Sequence, residues 1–162
     1  MGKTILESLK TFPMFGGVND AALTALAGLM KEENFPAGKN IIKEGADGDT
    51  MYLLLQGTCD VIKTTVFGDE YVTATLLDSY HVVFGEMALI DEAPRSATVR
   101  AKTDCRTLRI DRKTFKNYCR ENPAVGCEIL FAISSTLVRN LRKENENLRL
   151  VYEALIEEIE AG

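Results

Sequence analysis

Between Phe84 and Val99 the sequence reads FGEMALIDEAPRSATV, an acid, a short apolar segment, a proline-set loop and an arginine in close succession. Gly85 and Glu86 open the apolar segment Met87 to Ile90, which is too brief for a packed helix, so its first backbone N–H groups are open to an anion. Pro94 fixes its own backbone and pushes Ala93 toward an extended conformation, which directs Arg95 out of the loop. A guanidinium donates two parallel hydrogen bonds to two phosphate oxygens, where an ammonium offers a point charge. Together these features outline a phosphate site. Glu86 is repelled by phosphate, so its carboxylate serves a neighbouring sugar hydroxyl or pairs with Arg95.

The stretch resembles the phosphate-binding cassette of the cyclic nucleotide-binding domain family, whose pattern F-G-E-x-A-L-(loop)-P-R-x-A-T-V matches Phe84, Gly85, Glu86, Ala88, Leu89, Pro94, Arg95, Ala97, Thr98 and Val99. The resemblance implies that Glu86 binds the ribose 2′-hydroxyl and that Arg95 neutralises the exocyclic phosphate oxygens. It assigns the rest of the cradle, after Gly85, to the amides of Met87, Ala88 and Ala97. Ser96 follows the arginine, where the family places a hydroxyl that reads guanine when it is threonine, while serine also occurs in cyclic AMP readers; cyclic AMP is expected over cyclic GMP. His81 and Val82 depart from the family, which has a small residue and a common aspartate there.

These residues need a scaffold. Ile5, Leu6 and Leu9, then Leu23, Leu26, Leu29 and Met30, recur at helical spacing and predict N-terminal helices over 3–31, the second capped by Asn19 or Asp20. From Phe35 to Ile110 short apolar runs alternate with glycine and aspartate: Ile41–Ile42, Met51 to Leu55, Val61–Ile62 and Tyr71 to Leu77. Glycines at 38, 45 and 57 also resemble those that punctuate the family's jelly roll. The expected fold is α+β, a β jelly roll over 33–111 flanked by N-terminal helices and a long C-terminal helix. Asp111 caps an expected hinge helix over 112–121, and Asn122–Pro123 opens the last helix. The expected division is a cyclic nucleotide-binding domain over 1–135 and a lid or coiled-coil helix over 136–162.

In that helix Val138, Asn145, Tyr152 and Ile159 share one heptad position and Leu141, Leu148 and Leu155 the other. This is the seam of a two-stranded coil and predicts a homodimer, with Glu144 and Arg149 an attractive pair in the parallel arrangement and Asn145 fixing register. The catabolite activator branch of the family contacts adenine through a pair of polar residues on this helix. Glu144 and Asn145 occupy those positions, which gives Asn145 a second expected task, as a ligand-binding residue.

With 162 residues the chain suits one domain, and its net charge of −5 argues against direct nucleic-acid binding. Too few residues follow Leu148 for a DNA reader, so the expected output is an unknown effector protein, a change of assembly or a neighbouring domain outside this sequence. The four cysteines, Cys59, Cys105, Cys119 and Cys127, lack C-x-x-C spacing and read as free thiols of a cytoplasmic protein. One histidine cannot build the metal site of a cupin, and no motif sets a nucleophile beside a base, so no metal and no catalysis are expected. No apolar run approaches a membrane span, no signal peptide is evident, and Leu6 breaks the myristoylation pattern that Gly2 would begin. The alternative to a nucleotide sensor is a ligand-free interaction module on the same fold.

Overall fold

The computed structural model describes residues 4–161. Residues 1–3 and 162, which fall within the expected ranges 1–135, 3–31 and 136–162, lie outside the described residues, and so does Gly2.

Helix α1 (Ile5–Leu9) starts on a reciprocal cap: Glu7 N–H donates to Thr4 Oγ1 at 3.2 Å, and Thr4 N–H donates to the Glu7 carboxylate at 2.8 Å. A 3₁₀ turn (Pro13–Phe15) leads to α2 (Asp20–Leu29), capped by Asn19, whose Oδ1 accepts from Ala22 N–H at 3.0 Å. Leu9, Phe12, Phe15, Leu23 and Leu26 from this segment are buried in one core with Met51, Leu53 and Leu108 of the β domain.

Eight strands follow: β1 (Lys31–Phe35), β2 (Asn40–Ile42), β3 (Thr50–Gln56), β4 (Thr58–Thr64), β5 (Glu70–Leu77), β6 (Val83–Phe84), β7 (Thr98–Ala101) and β8 (Cys105–Asp111). They form two antiparallel sheets, ordered β1-β8-β3-β6 and β2-β7-β4-β5, the two layers of a jelly roll. The expected helical stretch to residue 31 overruns β1. That strand carries the sequence KEENF and no apolar alternation, because it is a sheet edge held by charge: Glu33 pairs with Arg109 at 2.9 Å and Glu32 with Arg106 at 3.7 Å. His81 takes a left-handed backbone (φ 49°) at the end of a 3₁₀ turn (Asp78–Tyr80), its ring edge-on to Phe12 at 5.6 Å.

One short helix, α3 (Met87–Ile90), interrupts the strands between β6 and β7. After β8, Asp111 caps α4 (Arg112–Glu121) by accepting from Thr114 N–H at 2.9 Å. Asn122, expected to cap the next helix with its side chain, turns its amide back to Tyr118 O at 3.1 Å and lets its carbonyl accept from Gly126 N–H at 2.8 Å. Helix α5 (Pro123–Ala161) is unbroken, so the expected boundary between residues 135 and 136 falls inside it. Its base packs closely on α4: a Cβ added at Gly126 would lie 2.8 Å from Cys119 Cβ. Ile129 and Ile133 are buried and Leu137 half-buried; from Val138 to Glu160 every residue is exposed.

The heptad positions Val138, Leu141, Asn145, Leu148, Tyr152, Leu155 and Ile159 therefore lie open along α5. Arg149, expected to reach across a seam to Glu144, is engaged by Glu146 and Glu153 of its own helix. One further expectation needs correction. By length and composition α5 contains a stretch apolar enough to cross a membrane. The sequence conceals it because charged residues interrupt the run, and two of its apolar members, Ile129 and Ile133, serve the domain core.

Candidate functional site

The loop between β2 and β3 and the loop between α3 and β7 are stitched together at Arg95. Arg95 N–H donates to Ala46 O at 2.9 Å, and Gly45 N–H donates to Arg95 O at 2.8 Å. Its backbone is thereby fixed on both sides, which gives the side chain a defined exit. The guanidinium then reaches between two main-chain carbonyls, Nη2 donating to Thr50 O at 2.7 Å and Nη1 to Gly85 O at 3.2 Å.

Two glycines make the space. Gly85 adopts φ +73°, and a Cβ there would stand 3.0 Å from Arg95 Nη1 and 2.9 Å from Ile42 Cδ1. Gly48 has no conformational reason to be glycine, but a Cβ would lie 2.4 Å from Arg95 Nε. The guanidinium carries five N–H donors, and two are occupied by the carbonyls above. Among the described residues no carboxylate forms an ion pair with it. Burial lowers its proton affinity, while Tyr52 and Asp49 raise it and Arg112 lowers it further. A half-buried cation with donors to spare and no counter-ion is prepared for an incoming anion.

Glu86 begins the turn that becomes α3, with backbone angles already helical, and its side chain does not cap the helix. It makes no ion pair with Arg95 among the described residues, which removes the direct-pairing alternative. Burial pushes its carboxyl up, opposed by its own backbone N–H and by the Arg95 charge. Ala88 is buried and Met87 exposed. The amides expected to cradle an anion are not equivalent, because Ala88 N–H is already directed to Gly85 O at 3.2 Å. Ser96 is exposed and Ala97 half-buried just before β7. The structure thus brings Gly85, Glu86, Met87, Ala88, Arg95, Ser96 and Ala97 to one loop cluster. Asn145 is exposed on the projecting part of α5, and the single chain does not add it to the cluster. Among the described residues no group of three or more metal-binding side chains occurs.

Several supports were not evident in the sequence. Lys63 Nζ donates to Ser96 O and pairs with Glu44 at 3.5 Å, tying β4 to the loop after Arg95. Arg112, the first residue of α4, donates through Nε to Ala88 O and pairs with Glu92 at 3.0 Å, so it braces α3 from behind. Thr50 contributes only a carbonyl, which no residue type announces. Gly48 carries no sequence signal of its own, and only its distance to Arg95 reveals why it is glycine.

A family model described as the cyclic nucleotide-binding domain matches residues 32–122, a span that contains this whole loop cluster. The chain belongs to the cyclic nucleotide-binding domain family. Relatives of this domain include the CRP-like cAMP-activated global transcriptional regulator of Mycobacterium tuberculosis, 28% identical over 142 residues that cover 88% of this chain and 61% of the regulator. A cAMP-dependent protein kinase regulatory subunit of Aspergillus fumigatus is 36% identical over 110 residues, 67% of this chain and 25% of that subunit. The catabolite activator protein of Thermus thermophilus superposes with a TM-score of 0.76 at 28% identity, covering 86% of this chain and 62% of that one. The chain thus spans less than two thirds of these relatives' own length.

Proposed function

We propose that this domain senses a 3′,5′-cyclic mononucleotide, with cyclic AMP preferred over cyclic GMP, and acts as a regulatory rather than a catalytic part of a cytoplasmic signalling protein. The observation that carries the reading is Arg95, a fixed, half-buried guanidinium without a counter-ion among the described residues, positioned by Thr50 O and Gly85 O. In this reading Arg95 and the Met87 and Ala97 amides hold the phosphate, with Ala88 joining after it releases Gly85 O. Glu86 accepts from the ribose hydroxyl. Ser96 lies at the base side or on a phosphate oxygen. Relatives whose names record activation by or dependence on cAMP support the base preference.

The relay runs through the helices. Arg112 couples α3 to α4, and α4 packs on the base of α5. The open heptad stripe on α5 accepts a second copy of the chain, and Asn145 contributes to that seam. The change is read by a partner protein, by a change of assembly or by a neighbouring domain.

Calorimetric titration of protein freed of co-purified nucleotide tests the proposal: heat with cyclic AMP and a weaker response to cyclic GMP are expected. Silence with both assigns the domain to the ligand-free interaction modules instead. Tighter binding of cyclic GMP that disappears in Ser96→Ala reverses the base preference.

A further inference from the structure

Far from Arg95, at the opposite end of β3, two thiols meet across the sandwich. Cys59 lies in β4 and Cys105 at the start of β8, strands of different sheets, and their sulfurs are 3.5 Å apart. Both residues are buried. Cys105 Sγ also lies 3.3 Å from Thr58 O and 3.2 Å from Thr103 O. It cannot retreat from its partner, because the chain at Gly57 closes behind it: a Cβ on Gly57 would stand 2.8 Å from that sulfur and 2.5 Å from Asp104 O.

Cys105 lines a cleft of about 380 Å³, together with Asn34, Phe35, Gln56, Asp104 and Arg106. Arg106 brings the unusual chemistry, since its Nε is buried without a hydrogen-bond partner among the described residues and its ion pair with Glu32 is long, at 3.7 Å. That Nε is closed to solvent, so a docking carboxylate meets the exposed remainder of the guanidinium, which Glu32 holds only loosely; a carboxylate is the acceptor a guanidinium fits best. Asp104 accepts from Ala37 N–H through Oδ1 at 2.9 Å, and among the described residues it forms no ion pair with Arg106.

We propose that Cys59 and Cys105 are an oxidisable dithiol, closed to an intramolecular disulfide by a small carboxylate-bearing disulfide of the oxidised-glutathione type that docks beside Arg106. The inference stands apart from the nucleotide reading. Cys105, the sulfur at the cleft, loses its proton and attacks one sulfur of the small disulfide; that S–S bond breaks and the first small thiolate leaves with the proton. Cys59 then attacks the Cys105 sulfur of the mixed disulfide, and the second small thiolate departs with the Cys59 proton. The protein loses two electrons and two protons, and the small disulfide gains both. Burial and the neighbouring thiol push the Cys59 pKa up, so exchange is slow and the pair stays reduced until oxidant persists.

Incubating the reduced, folded protein with oxidised glutathione, then alkylating it in denaturant, reads the outcome by intact mass. Of four alkylatable cysteines, two are expected to disappear. Peptide mapping should find Cys59 joined to Cys105, and the unfolding midpoint should rise and return after dithiothreitol. Arg106→Gln should slow closure by roughly tenfold with glutathione disulfide but leave closure by the uncharged disulfide of 2-mercaptoethanol unchanged, since about 1.4 kcal/mol corresponds to tenfold. Four alkylated cysteines after prolonged oxidation of folded protein, or a bridge using Cys119 or Cys127, overturns the dithiol. Equal slowing with both disulfides overturns the docking role of Arg106.

Discussion

Replacing Arg95 by alanine removes the guanidinium and leaves its environment almost intact, which makes it the sharpest perturbation available. The two carbonyls that hold it belong to the main chain, at Thr50 and Gly85, and no side-chain carboxylate is left without its ion pair. The cost therefore falls on the ligand. A half-buried phosphate deprived of its only guanidinium partner resembles truncation of one member of a buried charge pair, about 2–5 kcal/mol. At about 1.4 kcal/mol per decade, cyclic AMP affinity should drop by roughly 30-fold to several thousandfold. Isothermal titration of nucleotide-free wild type and variant measures this directly, with far-ultraviolet circular dichroism to establish that both are folded. An Arg95→Lys variant should stay much weaker than wild type, because one ammonium cannot span both carbonyls and still present a fork to phosphate. A variant Arg95→Ala that binds within threefold of wild type would refute the assignment of the phosphate to this residue.

Glu86→Gln separates stability from binding. Because burial raises the Glu86 pKa in the fold, the folded state binds more protons than the unfolded one between the ordinary carboxyl pKa and the raised value, and stability falls as pH climbs through that window. The glutamine variant should therefore melt higher than wild type at neutral pH in the absence of nucleotide, and the difference should vanish below the ordinary carboxyl range. Its nucleotide affinity should fall by roughly 10- to 100-fold, as a charge-assisted hydrogen bond of about 1.5–3 kcal/mol is lost. Gly48→Ala should weaken binding by about tenfold with little loss of fold, because overpacking of about 1–3 kcal/mol falls on the Arg95 side chain and not on the backbone; an unchanged titration curve would count against that positioning. Leu148→Glu, at a site 53% exposed in the single chain, should abolish self-association by sedimentation while leaving the β domain folded. If dimerisation and nucleotide favour each other, this variant also binds nucleotide less tightly, by the same factor that nucleotide tightens the dimer. A wild type that sediments as a monomer at high concentration removes the premise.

Much of this architecture could be read from the chain because local signals agreed with the final packing. The cassette announced itself through residue types at fixed spacing, and Asn19 and Asp111 cap where expected, while the Thr4 cap of α1 was not anticipated. Legibility failed where structure depends on partners distant in sequence. Edge strand β1 is written in charges that make sense only beside Arg106 and Arg109. Lys63, Arg112 and the Thr50 carbonyl are brought to the cassette by sheet register and helix packing, with no local motif. Arg149, expected to meet Glu144 of a second copy, is held in the single chain by Glu146 and Glu153, one turn away on its own helix.

The bare outer portion of α5 has a mechanical meaning. Between Val138 and Glu160 it extends about 33 Å at 1.5 Å per residue, and it is joined to the domain by a base that packs through Gly126 on Cys119. That contact is a fulcrum at which α5 contributes no side chain and the Cys119 side chain rests directly on its backbone. A tilt of ten degrees there would sweep the far end through about 9 Å, since Gly126 and Glu160 are about 51 Å apart at that rise. The domain thus holds a lever whose base is linked through α4 to the brace that Arg112 forms at that helix's first residue and whose long arm carries Leu148, Tyr152, Leu155 and Ile159. Motion too small to disturb the jelly roll would be enough to misalign a row of apolar contacts by a full side-chain width.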